Sequence, residues 1–478
     1  MKSRVPAYAC VALLLAGCAA VGPDYERPAV DLPNTYLTYG DPVANAAGAA
    51  ATIDPAWWKL YGDAALDGLV ERALERNADI RFAVARIEEA DANLREAGAT
   101  FLPQVDLGTT GARSRISTNT ATPLPSTVSP LRNNLRLAVS TSFELDFWGR
   151  LRRTREAVRA QALGTRYAKD VVTLSLAGLT SQAYFSLRSL DAQIALARET
   201  LAVRDEYLDM VRRRSAGGIA SDLDVNQAVI ARVDTATQLK ELQRQRALVE
   251  HQLSTLAGKL DLALPQSATL LAMPLPPAPP AGLPSALLER RPDIRQAEQQ
   301  LVSANAQIGV AKAAMLPSIS LTGFYGGESQ GLSTLLNSGS NIWSLGFGLA
   351  LPIFDWGRLA ARADSAEARA RQSLAGYQKA IETAFREVAD GLTNLEQTTA
   401  TEEDLQVRAT AARIVLRLAR ARYEAGYSAY IEVLDAQRTA NDAELAVVRN
   451  RQSRLSASVD LMKALGGGWS AETSPSGR

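Results

Sequence analysis

Two stretches of this sequence determine its fold. Residues 135–151 read LRLAVSTSFELDFWGRL, and residues 343–359 read WSLGFGLALPIFDWGRL. In the first part of each, apolar side chains fill the odd-numbered positions and small or polar ones dominate the even-numbered positions, the period-two pattern of a β-strand. After the shared Trp-Gly-Arg-Leu, no proline follows before Pro265 in the first case or Pro475 in the second. Each stretch therefore predicts a strand that leads into a very long, uninterrupted helix.

The two stretches are parts of an internal duplication. Asp79–Arg81 repeats as Asp293–Arg295 at an offset of 214 residues, whereas Trp148–Leu151 repeats as Trp356–Leu359 at an offset of 208. The first half therefore has six extra residues, which we expect in a loop between about residues 105 and 147. This period is far longer than the roughly 20 to 50 residues of solenoid repeats. Each half is predicted to contain a helix, two strands, a very long helix and a last helix.

The predicted organisation of the chain follows from these repeats. We assign residues 1–17 to a signal peptide, 18–60 to a lipidated N-terminal extended segment, 61–262 to the first structural repeat, 263–284 to a proline-rich linker, 285–466 to the second structural repeat and 467–478 to a C-terminal tail. The strands are expected at about 103–116 and 133–147, and at about 317–327 and 341–354. The long helices are expected to run from Arg150 to Arg214 and from Arg358 to Arg422, about 98 Å each at about 1.5 Å per residue.

The first residues resemble a bacterial lipoprotein signal. Lys2 and Arg4 precede an apolar run, residues 5–16, that is too short to span a bilayer. Small residues then stand directly before Cys18, as in the processing box that leaves a cysteine carrying acyl chains. Ala19 follows instead of aspartate, which by the same resemblance favours sorting to the outer membrane. The alternative is an ordinary signal peptide in which Cys18 is incidental.

The composition argues against several classes of function. The chain has 478 residues, with 52 Lys and Arg against 51 Asp and Glu, so it has no basic excess for nucleic acid. It contains one histidine, His251, and two cysteines, of which Cys10 lies in the predicted signal peptide. The sequence offers no convergent nucleophile, base or metal cluster. We therefore expect a protein that is not an enzyme and has no cofactor apart from a covalent lipid on Cys18.

Four predicted strands cannot form a closed membrane barrel by themselves. Barrels in lipid need about eight or more strands, so that no strand edge is left unpaired. If these strands span the outer membrane, several copies of the chain must pool them. Alternatives from other classes are a lipid-anchored periplasmic coiled-coil scaffold, with the sheet buried against its helices, and an anchored enzyme. The scaffold keeps the helices but leaves the alternating strands without an explanation.

Three motifs carry a resemblance to a known family. Val21–Pro28, Trp57–Asp63 and the repeated Trp-Gly-Arg-Leu occur in the order found in the TolC superfamily. The chain resembles in particular its OprM/NodT-like branch of outer-membrane efflux lipoproteins. The resemblance implies a mainly α fold with transmembrane β, made of duplicated helix-hairpin-helix halves. It further implies a TolC-like homotrimer with a 12-stranded β-barrel in the outer membrane of a Gram-negative bacterium and a long periplasmic α-helical barrel.

That family supplies the exit duct of tripartite efflux pumps. The resemblance therefore implies that the chain passes drugs, metals or other solutes to the outside. Its implied partners are a periplasmic adaptor protein, an inner-membrane transporter of the RND type and outer-membrane lipid. It implies no covalent chemistry. A type I secretion exit duct is the alternative within the same superfamily.

The resemblance also places a periplasmic gate on the long helices. Asp205 and Asp209 occupy the positions of Arg413 and Arg417 in the other repeat, so opposite charges are expected to pair between neighbouring helices and hold the channel shut. Arg420 belongs to the same stretch, which is basic where the family often carries an acidic ring. The alternative is that these charges only form pairs on a solvated helix surface.

The turns that follow the long helices are expected to dock the adaptor, again by resemblance. Glycine ends each long helix, and Ser221 is a candidate N-cap for the helix after the first turn. The docking candidates are Arg214, Gly217, Gly218, Arg422, Gly426 and Tyr427.

Overall fold

The computed structural model describes most of the chain, namely residues 20–30, 32–33, 35–38, 41–42, 53–121, 125, 127–276 and 287–468. The predicted signal peptide, Cys18, residues 277–284 of the predicted linker and residues 469–478 lie outside the described residues. Two-residue strands, Leu37–Thr38 and Asp41–Pro42, pair with each other. A 3₁₀ helix, Trp57–Tyr61, precedes the first repeat.

The first repeat folds into helices that flank one β-hairpin. Its elements are α1 (Ala64–Arg76), α2 (Ala78–Ala99), β1 (Gln104–Arg115), β2 (Leu131–Leu145), α3 (Arg150–Ala216) and α4 (Asp222–Leu256). A 3₁₀ helix, Thr269–Ala272, follows in the segment that links the repeats.

The second repeat has the same plan. Its elements are α5 (Leu287–Arg290), α6 (Pro292–Ala313), β3 (Ser318–Ser329), β4 (Asn341–Ala350), α7 (Arg358–Glu424) and α8 (Tyr430–Ala464). The 3₁₀ helices Leu332–Thr334 and Ser338–Ser340 lie between its strands. The bounds of α6 and β3 repeat those of α2 and β1 at an offset of 214 residues, and those of α7 and α8 repeat those of α3 and α4 at 208. The offset changes between the two strands of the hairpin, which is where the six extra residues were expected.

The four main strands form one antiparallel sheet in the order β1-β2-β3-β4. Leu107 pairs with Val139, Val139 with Tyr325, and Tyr325 with Trp343, so these four side chains lie on one face. The outer strands are β1 and β4. Each of them has one edge with no partner strand in the described part of the chain.

The strand bounds differ from the sequence-based prediction by up to four residues. The prediction is wrong for the end of the last strand, β4, which ends at Ala350 rather than near residue 354 and has 10 residues. Pro352 accounts for the early end because it has no N–H to donate to a strand ladder. Strand β2 has the predicted length but is shifted by two residues: it begins at Leu131, which pairs with Arg115 of β1, and ends at Leu145.

The chain divides into two compact units. The first contains the sheet and comprises the described residues within 1–29, 86–165 and 297–377, and the second comprises those within 30–85, 166–296 and 378–478.

The Trp57–Asp63 motif belongs to the core of the second unit. The rings of Tyr61 and Phe185 have their centroids 4.9 Å apart, and the hydroxyls of Tyr61 and Ser458 are 2.6 Å apart. The carboxylate of Asp63 accepts backbone hydrogen bonds at the start of α1 and one from the Tyr184 hydroxyl. This motif, which supported the family resemblance, is therefore architectural.

Glycine and serine shape the turns after the long helices. Gly218 has a φ of +74° and Gly426 a φ of +82°, a backbone region that glycine enters without steric cost. The Ser221 hydroxyl accepts a hydrogen bond from the Asp224 backbone N–H, while the Asp224 carboxylate accepts one from the Ser221 N–H. This capping box confirms the predicted N-cap of α4.

Candidate functional site

The β-sheet has one apolar and one polar face. On the apolar face, Leu107, Trp343, Leu345 and Phe347 are each between 71% and 79% exposed. The opposite face consists mainly of Ser, Thr, Gly and a few charged side chains. An exposed apolar surface of this kind fits lipid, and the polar face fits water. The alternation predicted for residues 135–147 and 343–353 thus gives β2 and β4 one apolar and one polar face, and Leu107 of β1 and Tyr325 of β3 lie on the same apolar face.

Charged side chains on the polar face are held by specific contacts. The guanidinium carbon of Arg136 on β2 lies 4.2 Å from the centre of the Phe324 ring on β3. Near the helix end of the sheet, Arg150 donates hydrogen bonds of 2.9 and 2.6 Å to the two carboxylate oxygens of Glu144. This ion pair joins the polar face to the first residue of α3.

The first strand-to-helix junction is covered by the N-terminal segment. The indole N–H of Trp148 donates to the carbonyl oxygen of Pro317 at 2.6 Å, and the Trp148 carbonyl accepts from the backbone N–H of Val21 at 2.9 Å. Gly149 has a φ of +76°, and a Cβ atom there would lie 2.5 Å from that of Ala20. The junction thus needs glycine both for its backbone conformation and for the approach of this segment.

The Val21–Pro28 motif binds helices from both repeats within the first unit. Arg153 of α3 donates to the carbonyl oxygen of Gly22 and to the carboxylate of Asp24. The segment crosses α6 so closely that a Cβ atom on Gly22 would lie 2.5 Å from the Cα atom of Gly309. A side chain at this crossing would push the segment away from the helix.

An ion pair fastens the end of the same motif. Arg27 binds both carboxylate oxygens of Glu298 on α6, at 2.6 and 3.0 Å, and the Tyr25 hydroxyl donates to the first of these oxygens at 3.3 Å. The Glu298 side chain is only 6% exposed. A two-point contact of this geometry to a buried carboxylate holds the segment in one register.

Two of the predicted gate residues are paired inside their own helix hairpins. Asp205 on α3 binds Arg232 on α4 at 2.6 Å, and Arg413 on α7 binds Glu444 on α8 at 2.5 Å. Asp205 and Arg413 are equivalent in the two repeats. Each forms an ion pair with the helix that follows its own long helix, but the two residues have opposite charges. Within one chain they bind these partners and not each other.

The other predicted gate pair is available for contacts outside the chain. Asp209 is exposed and lies 3.9 Å from Arg212 on its own helix. Arg417 is exposed and has no ion pair among the described residues. The pairing of Asp209 with Arg417 between neighbouring helices stays a prediction.

Three tyrosines form a cluster that the sequence analysis missed. In this tyrosine cluster, Tyr207 of α3, Tyr423 of α7 and Tyr430 of α8 are buried, with ring centroids 6.2 Å apart for Tyr207 and Tyr430 and 5.5 Å apart for Tyr423 and Tyr430. Burial raises the pKa of Tyr430 to about 12. Because only 6% of the residues are aromatic, the presence of three tyrosines near the helix turns could have predicted an aromatic cluster there. The cluster joins the two helix hairpins.

Two predicted site residues pack on the tyrosine cluster. The guanidinium carbon of Arg214, a predicted docking residue, lies 4.7 Å from the centre of the Tyr423 ring. That of Arg420, a predicted gate residue, lies 5.5 Å from the centre of the Tyr207 ring. Both arginines thus contact the cluster through cation–π geometry, whatever further role they have.

The turns present apolar side chains at equivalent positions. Ile219 is 74% and Tyr427 is 80% exposed, next to Gly218 and Gly426. Arg422 lies 3.9 Å from Glu432, and both side chains are largely exposed. Ile219 was not among the predicted docking residues, although the repeat alignment with Tyr427 could have identified it.

Other kinds of site find no support in the described chain. No group of His, Cys, Asp and Glu side chains in the described ranges could hold a metal ion, and His251 is exposed on α4. No helix in the part of the chain that the structure covers has the length and apolar character needed to cross a membrane.

Sequence comparison identifies relatives over nearly the whole chain. The outer membrane efflux protein family matches residues 69–259 and 283–467. The outer membrane protein OprJ of Pseudomonas aeruginosa is 37% identical over 473 residues, which cover 98% of this chain and 97% of OprJ. The cation efflux system protein CusC of Escherichia coli K12 is 35% identical over 462 residues, which cover 96% of this chain and 98% of CusC.

Structure comparison gives the same result. The outer membrane channel CmeC of Campylobacter jejuni superposes with a TM-score of 0.86 at 25% sequence identity, over 95% of this chain and 96% of the CmeC chain. The fold is thus that of TolC-like outer membrane channels, mainly helical with a few antiparallel strands.

Proposed function

The chain belongs to the outer membrane efflux protein family, and on that basis we propose that three copies of it form the exit duct of a tripartite efflux pump. The protein is an efflux channel of the outer membrane of a Gram-negative bacterium, with a helical barrel in the periplasm. The assembly that we propose is a homotrimer with a 12-stranded barrel and a tunnel of twelve helices. It conducts solutes passively and catalyses no covalent chemistry.

One observation carries the proposal of several copies, namely the two open edges of the sheet. A four-stranded sheet is not stable in a bilayer if the backbone N–H and C=O groups along the outer edges of β1 and β4 have no hydrogen-bond partners. Pairing β4 of one copy with β1 of the next removes every edge once the ring closes. Closed cyclic symmetry is the usual way in which identical chains satisfy such head-to-tail contacts.

The proposed partners are a periplasmic adaptor protein and an inner-membrane transporter of the RND type. The names of the relatives support a place in a multi-component efflux pump, since the chain resembles the outer membrane protein of a solvent efflux pump and a cation efflux system protein. Ile219 and Tyr427 offer exposed apolar side chains at the turns, where we place the adaptor together with Arg214, Arg422 and the turn glycines.

We place the lipid anchor on Cys18, two residues before Ala20, where the described part of the N-terminal segment begins. Ala20 and Val21 lie on the junction at Trp148 and Gly149, where β2 has just ended. Acyl chains on Cys18 would therefore start close to the membrane boundary of the barrel and enter the same bilayer.

Gel electrophoresis and bilayer recordings test the assembly. Purified protein in dodecyl sulfate should migrate as a trimer without heating and as a monomer after boiling, because a closed barrel resists unfolding in detergent. The same material should form channels in planar bilayers. A heat-independent monomer that forms no channels would contradict the proposal and favour the coiled-coil scaffold.

A type I secretion exit duct remains the alternative within the superfamily, and it differs in the inner-membrane partner. Crosslinking in intact cells, followed by purification of the tagged chain, should recover an adaptor and a transporter of the RND type. Recovery of an ATP-driven secretion transporter instead would favour the alternative.

A further inference from the structure

The two strand-to-helix junctions share the sequence Trp-Gly-Arg-Leu but place their tryptophans differently. Trp148 at the first junction is half-buried and hydrogen-bonded to Pro317. Trp356 at the second junction is 88% exposed, and its ring contacts that of Phe354, with the centroids 4.6 Å apart. The indole N–H of Trp356 has no hydrogen-bond partner among the described residues.

The order of two residues distinguishes the junctions. Residues 146–148 read Asp-Phe-Trp, whereas residues 354–356 read Phe-Asp-Trp, so the aspartate of the second junction is one residue closer to the tryptophan. In both junctions this aspartate caps the start of the long helix, because its carboxylate accepts backbone hydrogen bonds there. At the second junction, the capping aspartate is therefore one residue closer in sequence to the leucine N–H group that it binds.

The shorter span changes the backbone at Trp356. Asp355 accepts hydrogen bonds from the backbone N–H groups of Gly357 at 3.1 Å and Leu359 at 2.8 Å. Between the cap and the helix, Trp356 adopts a φ of +59°, and it is the non-glycine residue with positive φ among the described residues. Bulky residues rarely occupy this region, and such outliers concentrate where the side chain has a task. With this backbone conformation, the Trp356 ring contacts Phe354 and is otherwise exposed.

Among the described residues, no segment covers the second junction in the way that the N-terminal segment covers the first. Ala20 of the N-terminal segment packs against Gly149. At Gly357, which is equivalent to Gly149, a Cβ atom would meet no atom within 4 Å. Between the end of β4 and these rings the chain carries further exposed apolar side chains, Leu351 and Ile353, which are 52% and 91% exposed.

The spacing of aromatic residues along β4 matches a membrane. Trp343 and its cross-strand partner Tyr325 lie on the apolar face at the opposite end of the strand. From Trp343 to Phe354 an extended chain spans about 36 Å at about 3.3 Å per residue. At the usual strand tilt of about 35–45°, this gives a height of roughly 26–30 Å, close to the apolar band of about 25 Å that aromatic girdles flank in outer-membrane barrels.

We propose that Phe354 and Trp356 sit in the headgroup region of the periplasmic leaflet of the outer membrane, with the Trp356 indole N–H facing phospholipid headgroups, and that Trp148 does not contact lipid. The inference rests on the proposed function, because it requires the apolar face of the sheet to lie in the bilayer. Tryptophan suits this region since one end of its ring system is apolar and the other donates a hydrogen bond. In the trimer, three bare junctions then alternate with three that the N-terminal segment covers.

Quenching of tryptophan fluorescence by brominated lipids tests this placement. The full chain is reconstituted as a trimer into vesicles of phosphatidylcholine brominated either near the headgroup or near the chain ends. We expect Trp356→Phe to reduce the quenching by the headgroup-proximal bromines more than that by the terminal ones. Trp148→Phe, the matched control at the equivalent position, should leave the quenching unchanged. The heat-resistant trimer on a gel verifies that each variant is assembled.

Trp343→Phe separates failure of this inference from failure of the proposed function. Trp343 faces lipid in any barrel formed by this sheet, so its removal should reduce the quenching. If Trp343 is quenched but Trp356→Phe changes nothing, Trp356 is covered by protein, such as a neighbouring copy, and the inference is overturned. If neither tryptophan is quenched, the sheet does not lie in the bilayer and the proposed function fails.

A second variant tests the cause that we assign to the exposed ring. Phe354→Asp combined with Asp355→Phe gives the second junction the residue order of the first. The longer cap should relieve the positive φ of Trp356 and reduce its quenching in the otherwise unchanged channel. If Trp356 is quenched in this variant as strongly as in the wild-type channel, residue order does not determine the position of the ring.

Discussion

Asp205 and Arg413 occupy equivalent positions on the two long helices, yet their charges are opposite. Each is satisfied within its own hairpin, by Arg232 and Glu444 respectively. Exposed ion pairs of this kind contribute little to the free energy of unfolding. Each pair therefore adds only a small attraction between a long helix and the helix that follows it. Four residues further along, Asp209 and Arg417 again differ in charge, but neither has a partner in the opposing helix of its hairpin.

Asp209→Ala combined with Arg417→Ala should increase the single-channel conductance in planar bilayers. In the gate proposed here, Asp209 and Arg417 attract each other between neighbouring long helices, and the variant removes this attraction, so the open probability of the channel should rise as well. An exposed pair is worth about 0.2–1 kcal/mol, so the open probability should rise by about 1.4- to 5-fold for each pair removed.

The control for this variant is Arg386→Ala with Asp390→Ala, an exposed pair of 3.1 Å that lies within α7. It should leave the conductance unchanged. Unaltered closure in the Asp209 and Arg417 variant would reject the proposed pair.

Gly309→Ala should weaken the attachment of the N-terminal segment. A Cβ atom at this position would lie 2.6 Å from the carbonyl oxygen of Val21 and 2.8 Å from Cγ of Arg153. We expect a loss of roughly 1–3 kcal/mol, as for other forced contacts in packed regions. The measurement is the temperature at which the detergent-resistant trimer dissociates, which should fall.

Gly376→Ala is the matched control, since Gly376 lies inside α7 and a Cβ atom there meets nothing within 4 Å. Alanine favours the helix, so this variant should dissociate at the same or a higher temperature. Equal behaviour of the two variants would show that the Gly22 and Gly309 crossing is not tight.

At the scale of elements, the sequence predicted regular features well and specific contacts poorly. Helix bounds followed from the absence of proline and from the repeat offsets, because these act on the backbone alone. The early end of β4 was also readable from Pro352, but the odd-even pattern continues past it to Ile353 and suggested a longer strand. Tyr207 and Tyr430 meet across different helices, and no periodicity in one helix indicates which residue of another helix it will face.

Tyr430→Ala should loosen the contact between the two helix hairpins, whereas Tyr430→Phe should preserve it. Removing a buried aromatic ring costs roughly 3–5 kcal/mol, while phenylalanine keeps the stacking on Tyr207 and Tyr423. Limited proteolysis should therefore cut the turns at Gly218 and Gly426 faster in the alanine variant. Cleavage at the wild-type rate would mean that the tyrosine cluster does not hold the hairpins together.

The raised pKa of Tyr430 predicts that the protein loses stability at alkaline pH. Burial raises the pKa of Tyr430 from its ordinary 10.0 to about 12, so the folded state favours the neutral hydroxyl. Its contribution to stability is complete below pH 10 and is lost as the pH rises through about 12. Tyr430→Phe should therefore retain protection of the turns over this range better than the wild type.

At the scale of the whole molecule, the duplication specifies how neighbouring copies should meet. Inside one chain β2 pairs with β3, with Ser140 opposite Phe324. Moving both residues to their repeat equivalents gives Gly348 of β4 opposite Thr110 of β1 in the next copy. The repeat and the proposal of several copies could be predicted from the sequence alone, but this register required the observed pairing of β2 with β3.

Gly348→Cys combined with Thr110→Cys should form a disulfide between neighbouring copies. Directly opposed residues in antiparallel strands have Cβ atoms about 4.5–5.5 Å apart on one face of the sheet, close enough for a bond after mild oxidation. A covalent trimer should appear on a reducing-agent-free gel. The control, Gly348→Cys with Thr109→Cys, places the thiols on opposite faces and should remain monomeric after boiling. If only the control forms crosslinks efficiently, the register between neighbouring copies differs by one residue from the predicted one.

The unpaired strand edges described above have a genetic consequence. In the proposed trimer, each duct needs an intact β1 and an intact β4 from all three chains, so a single defective chain inactivates a ring that also contains wild-type chains. A cell that makes equal amounts of wild-type chain and of a chain with a disrupted β1 should retain only about one functional duct in eight. Such alleles should act as dominant negatives and sensitise bacteria to exported toxins even when the normal gene is present.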